Sequence, residues 1–152
     1  FDIMDIFDMK YDDNIFDVAF IYGSLSLLSD REKVIQNIKR VLKPSGQLIV
    51  IDSIGYNFIF NKNRRKSIRK WTDRTDSFKT LKYGDLKVLK DNFHNVNYKM
   101  FNLLILGVYY LKCKSKYLEA FVHAIDSVIV KIPFIKWLAF KIVIICENKK
   151  FD

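Results

Sequence analysis

Few residues in this 152-residue chain have the type and spacing to do chemistry. Neither of its two histidines, His94 and His123, reads as a general base. His123 falls opposite an apolar helical stripe and reads as solvated, while His94, between Phe93 and Asn95, reads as a loop residue ahead of a strand. The adjacent carboxylates Asp12 and Asp13 precede Asn14 and Phe16, where Asp and Asn are favoured for local backbone bonding, so they read as a turn rather than a metal pair. Cys113 and Cys146 lie far apart with no CxxC spacing, which excludes a disulfide-stapled scaffold, a disulfide partner and a thiolate zinc site. Taken alone, Asp5 is a carboxylate capping a turn. Trp71, within a basic run, can stack on a base or a sugar, or pack against a helix.

The charge is uneven. Lys and Arg number 26 against 17 Asp and Glu, a net charge of +9, concentrated at Lys62, Arg64, Arg65, Lys66, Arg69, Lys70 and Arg74, with Asp73 opposed. Such a patch can bind phosphates, but lysine is abundant throughout and no recognised nucleic-acid module accompanies it, so a solvated surface is the preferred reading. Half the residues are hydrophobic, which excludes a disordered chain, and the length allows one domain. Apolar stretches are cut by Lys, Asn or Asp before the roughly 18 residues of a spanning helix. No signal peptide is seen, and the expected location is cytoplasmic. Lys131, Lys136 and Lys141 alternate with Ile132, Phe134, Ile135, Trp137 and Phe140, so a non-catalytic peripheral membrane or interaction protein stays open as an alternative beside simple helix packing.

The elements that must position these residues follow from periodicity. Phe16–Ile21 is a short apolar run bounded by Asn14 and Gly23, a buried strand. Ser29 to Glu32 fits a capping box, and Val34, Ile35, Ile38, Val41 and Leu42 form one stripe, with Arg31, Lys33, Asn37 and Lys39 facing away. Pro44-Ser45-Gly46 turns the chain into a second apolar strand, Gln47–Asp52. Strand, helix and strand at this spacing make a βαβ unit with parallel strands. Residues 55–80 are basic and poorly periodic, an excursion from the sheet. A helix follows over Leu81–Phe93 with Leu81, Leu86, Leu89 and Phe93 inward, then a strand over Val96–Leu104. Tyr117–Ile129 is a helix striped by Leu118, Phe121, Val122, Ile125, Val128 and Ile129. Pro133 opens a short helix, and Phe140–Cys146 closes as a strand.

In order and spacing, Asp5, Asp12-Asp13-Asn14, Phe16-Asp17-Val18, Leu28-Ser29-Asp30 and Arg40-Val41-Leu42-Lys43-Pro44-Ser45-Gly46 resemble class I S-adenosylmethionine-dependent methyltransferases. Asp5 to Phe16 spans 16 − 5 = 11 positions, the family's usual separation between the acidic end of its third strand and its "FD-V" fourth strand. Ser45 replaces the first Gly of the family's pair, tolerable if only Gly46 needs positive φ. The match covers roughly residues 1–54. A looser one, Gly55-Tyr56-Asn57 and Arg74-Thr75, resembles a segment after the fifth strand in one branch of these enzymes.

The resemblance implies an α/β fold: a Rossmann-like methyltransferase sheet lacking its first two strands, in the mixed order 4-5-7-6 with flanking helices. One partial domain would comprise a 1–54 core, a 55–80 excursion and the 81–152 helices and final strands. It implies S-adenosyl-L-methionine as cofactor, with Asp5 accepting the adenine amino group, Ile6 against the adenine face, and Tyr22, Gly23 and Ser24 along the methionine arm. Asn57 and Arg74 would meet the substrate. The acceptor would be a small molecule, lipid or sugar, with an RNA or protein acceptor using residues 62–74 as the alternative. The Gly-rich loop and ribose-binding carboxylate of the family have no counterpart here, so the chain is expected to begin at the third strand, Phe1–Asp5, leaving Phe16–Ile21 with an open edge. Residues 1–152 alone are then expected neither to bind the cofactor appreciably nor to stay cleanly monomeric.

Overall fold

A computed structural model describes residues 2–68, 80–104 and 115–149. Four strands, β1 (Phe16–Tyr22), β2 (Leu42–Ser53), β3 (Asn95–Phe101) and β4 (Lys141–Glu147), form one sheet in the order β1-β2-β4-β3. β1 and β2 are parallel, and β4 is antiparallel to both β2 and β3. Numbered as strands four to seven of the complete family sheet, this is 4-5-7-6, as expected.

Helix α1 (Arg31–Val41) makes the crossover between β1 and β2, and Val34, Ile35, Ile38 and Val41 are its buried stripe. Its N-cap is Asp30, whose Oδ1 accepts from the Lys33 amide at 3.1 Å, one residue later than the Ser29 box predicted. A carboxylate at this place also favours the positive end of the helix dipole. Helix α3 (Tyr83–Asn92) lies beside α1, and Leu81, Leu86, Leu89 and Phe93 are all buried as expected. Together they cover the sheet face that carries Ile21, Leu48, Val50, Met100, Ile142, Ile144 and Cys146. That core also shields the Cys146 thiol, whose pKa burial pushes from 9.0 to about 12. A thiol-reactive reagent at about pH 8 is expected to leave Cys146 unlabelled until the chain unfolds, read by peptide mass mapping. Above pH 9.0 only the unfolded chain ionises there, so stability falls as pH rises toward 12.

Several expectations are corrected. Residues 2–5 form no strand: a parallel strand needs a neighbour for its backbone groups, and these residues have no ladder partner among the described residues. Within 55–80 the chain forms a helix, α2 (Phe58–Ile68), which Asn57 Oδ1 caps by accepting from the Phe60 amide at 3.0 Å. Helix α4 (Lys116–Ile129) forms where expected, but its apolar stripe is split: Val122, Ile125 and Ile129 are half-buried, while Leu118, Phe121 (63%) and Val128 (61%) are exposed. The second face of the sheet is also open on the β1 side, where Phe20 is 60% and Tyr22 66% exposed. No helix among the described residues is long and apolar enough to cross a membrane.

The turn before the second run is corrected in detail. It is Ser45 that holds positive φ, at 66°, while Gly46 is not left-handed. Gly46 is needed for space, since a Cβ there would lie 2.8 Å from the Lys43 carbonyl and 3.2 Å from the Phe16 carbonyl. Left-handed backbone costs a non-Gly residue about 1 kcal/mol, so Ser45→Gly is expected to raise stability by roughly that amount in denaturant unfolding. An unchanged or lower midpoint would contradict the assignment.

Candidate functional site

The parallel strands β1 and β2 end at the same side of the sheet, and in open α/β sheets ligands bind beyond such carboxyl ends. Tyr22 ends β1. Gly23 follows at φ +66°, a left-handed turn suited to glycine, and its amide donates to the Ile51 carbonyl at 2.8 Å. No atom lies within 4 Å of where a Cβ on Gly23 would stand, so the space above this turn is open. Ser24 is exposed and leads into a short 3₁₀ turn, Leu25–Leu27. The Lys141 ammonium sits 5.2 Å from the Tyr22 ring centroid, a cation–π distance.

A buried polar network fixes this loop. Asp52, fully buried near the end of β2, accepts from the Ser26 amide at 2.9 Å and from the Ser53 amide at 2.6 Å. Arg31 donates to the Ser26 carbonyl at 2.9 Å and pairs with Asp85 at 2.7 Å. Asp85 in turn accepts from the Lys82 amide at 2.7 Å. The loop after β1 is thereby tied to β2, α1 and α3. Arg31, expected to face away, instead points into this network, because the Asp85 carboxylate waits there to pair with it. Asp52, read only as the last residue of an apolar run, was missed; an acidic residue closing a buried strand was the available signal.

Asp5 lies in a turn before α1. Its Oδ1 accepts from the Phe7 amide at 2.9 Å, and its carbonyl accepts from the Asp8 amide at 3.0 Å. Its second carboxylate oxygen has no partner among the described residues, and the residue is exposed. The Ile6 carbonyl accepts from Asn37 at 3.1 Å, and Arg40 holds the Met9 and Tyr11 carbonyls at 2.8 and 2.7 Å. Going from Tyr11 back to Ile6, the segment therefore climbs α1 toward its N-terminus, the end reached from Ser24. Ile6 is half-buried against the core. Asp12 and Asp13 do form a turn, with Asp13 paired to Arg40 at 2.6 Å.

Both ends of the Asn57 amide have backbone partners: Nδ2 donates to the Leu138 carbonyl at 2.8 Å while Oδ1 caps α2. Arg74 and Trp71 lie outside the described residues. His94 and His123 are exposed. Among the described residues, no three His, Cys, Asp or Glu converge on a metal site.

Residues 1–50 match a family described as a methyltransferase domain. A stretch of 49 residues is 45% identical to sterol 4-C-methyltransferase strm-1 of Caenorhabditis elegans, covering 32% of this chain and 15% of that protein. Among solved structures, the [4+2]-cyclase SpnF superposes with a TM-score of 0.58 at 17% identity, over 97% of this chain and 55% of its own. Phosphoethanolamine N-methyltransferase 2 of Haemonchus contortus, in complex with phosphomonomethylethanolamine and S-adenosylhomocysteine, gives 0.57 at 15% identity, over 97% and 36%. The chain thus spans 55% or less of the length of each of these three relatives. At such identities the structural likeness shows the fold alone, and the presence of a cyclase among the neighbours underlines that a fold does not name a reaction. Fold and matched sequence agree: residues 1–50 are similar to a methyltransferase domain, and the described residues share the Rossmann-like fold of class I S-adenosylmethionine-dependent methyltransferases.

Proposed function

We propose that this chain forms the adenine and methionine-arm side of a S-adenosylmethionine site in an enzyme that methylates a small-molecule acceptor. The observation that carries the reading is the convergence of the Asp5–Ile6 segment and the Tyr22–Ser24 loop toward the N-terminal end of α1, within the matched stretch. The residues fit the group. Asp5 keeps a free carboxylate oxygen for an exocyclic N–H, Ile6 supplies apolar surface, and the open left-handed turn at Gly23 admits a chain close to the backbone. When bound there, the cofactor supplies an electrophilic methyl group on sulfur. The chain's own part is to bind, orient and hold the donor, since in-line positioning accounts for much of the rate of such transfers.

A small-molecule acceptor is supported by the sterol and phosphoethanolamine methyltransferases among the relatives. Arg74 is carried into this reading as a residue that meets the acceptor. Asn57 is proposed to shape that side of the site through its cap on α2.

Isothermal titration of S-adenosylmethionine into the protein as isolated from its source cells tests the proposal. Saturable binding is expected, and Asp5→Ala is expected to weaken it about tenfold, the loss of one hydrogen bond to a charged acceptor. No detectable binding by a folded sample, or Asp5→Ala without effect, would sink it.

A further inference from the structure

The exposed side of α4 continues past the helix. Tyr117, Phe121, Val128 and Ile132 recur at helical spacing on one side, and Tyr117 is 90% exposed. Beyond the turn stands Phe134, 86% exposed and held at φ +72°. A bulky aromatic in the left-handed region is strained, and Phe134 does not recover that strain by packing into the protein. Lysine flanks the row at its two ends, Lys116 at one and Lys131 and Lys136 at the other. Between 115 and 141 the acidic residues are Glu119, half-buried, and Asp126, buried with Oδ1 accepting from the Leu104 amide at 2.8 Å. The exposed charged residues there are Lys116 and Lys131. Lys131 and Lys136 also line a cavity of about 550 Å³ with Lys99 and His123, where Asp126 is the one acidic lining residue among the described residues.

We propose that this edge, led by Phe121, Val128 and Phe134 and flanked by Lys116, Lys131 and Lys136, seats the chain on an anionic phospholipid surface. Apolar side chains enter the headgroup–acyl boundary, and the ammonium groups meet headgroup phosphates at the same level. The cavity beneath Lys131 and Lys136 gives one headgroup room beside the row. The charge decides against a second copy as the occupant. Another molecule of this chain would bring the same lysines to the contact, whereas an anionic bilayer complements them. This docking is independent of the cofactor reading, and its failure would leave that reading intact.

Co-sedimentation of the chain with vesicles tests it, using phosphatidylcholine alone and phosphatidylcholine with about one-third phosphatidylserine. Partitioning is expected to be at least tenfold stronger on the anionic vesicles. Replacing Lys131 and Lys136 by glutamine is expected to weaken it by roughly fivefold per lysine. Phe134→Asn removes the aromatic ring with a residue that tolerates left-handed backbone, so it is expected to lose about tenfold in partitioning with no loss of thermal stability. Phe121→Ser serves as a second variant, since it lies in the exposed stripe and its folding can be checked independently. Phe20→Ser, on the open sheet face, is expected to leave partitioning unchanged. Equal binding to both vesicle types, full binding by both Phe variants, or self-association without vesicles that Phe134→Asn abolishes would each overturn the proposal.

Discussion

Asp52→Asn is expected to lower the unfolding free energy by about 3 kcal/mol, although the two side chains are nearly the same size. Both Asp52 carboxylate oxygens accept backbone amides, from Ser26 and Ser53, in a fully buried position. Asparagine must turn its NH₂ group toward one of those donors, leaving two buried donors face to face and one amide unpaired. The loss spreads because the same loop is held at the Ser26 carbonyl by Arg31, which also pairs with Asp85. Asp52→Ala is expected to cost a similar amount by leaving both amides unpaired. Ser26→Ala is the control: its hydroxyl is buried with no partner among the described residues, so its removal is expected to cost nothing. Denaturant unfolding measures all three. Amide exchange at residues 23–28 is expected to accelerate in Asp52→Asn, because the loop that ends β1 loses its anchor. A change below about 1 kcal/mol would show that the network does not hold the loop.

Gly55→Ala carries the second large effect, about 2–3 kcal/mol destabilising. A Cβ on Gly55 would overlap the Thr80 hydroxyl, lie 2.9 Å from Thr80 Cβ and 3.3 Å from the Leu81 carbonyl. These atoms cannot swing away cheaply. The Gly55 amide donates to the Leu81 carbonyl at 2.9 Å, the Leu81 amide donates to the Ser53 carbonyl at 3.0 Å, and Ile54 bridges Leu81 as a short parallel pair. The substitution therefore pushes apart the junction where the end of β2 meets the chain entering α3. Gly84→Ala is the matched control. It stands in helix α3 with nothing within 4 Å of a Cβ, and is expected to gain roughly 0.5–1 kcal/mol from the smaller entropy of the unfolded chain. Adding Thr80→Gly to Gly55→Ala removes the overlapping side chain and is expected to recover part of the loss. If Gly55→Ala proves as harmless as Gly84→Ala, the close approach does not exist.

Wherever burial follows local period, the residues alone dictated the element. The Val34–Val41 stripe and Gln47–Asp52 each bury a face defined by neighbours a few positions away, so α1 and β2 were legible from spacing. The same holds for the alternation Val96, Tyr98, Met100 in β3. β1 was legible as a strand, but of Phe16–Ile21, expected to be buried, only Ile21 is. The sheet order came from the family resemblance rather than from any residue, since placing β4 between β2 and β3 is a contact between segments far apart in sequence. Asp5, Ile6 and Tyr22–Ser24 were picked out by motif spacing in the same way. Long-range packing settled the rest. Asp52 looked like a strand end until the fold brought the Ser26 amide, 26 positions away, to its carboxylate. Arg31 looked solvent-facing until α3 presented Asp85, 54 positions on. The stripe of α4 is as periodic as that of α1, yet Leu118, Phe121 and Val128 stay exposed while the α1 stripe is buried. Periodicity states which residues share a face; whether another surface meets that face depends on the path of the whole chain.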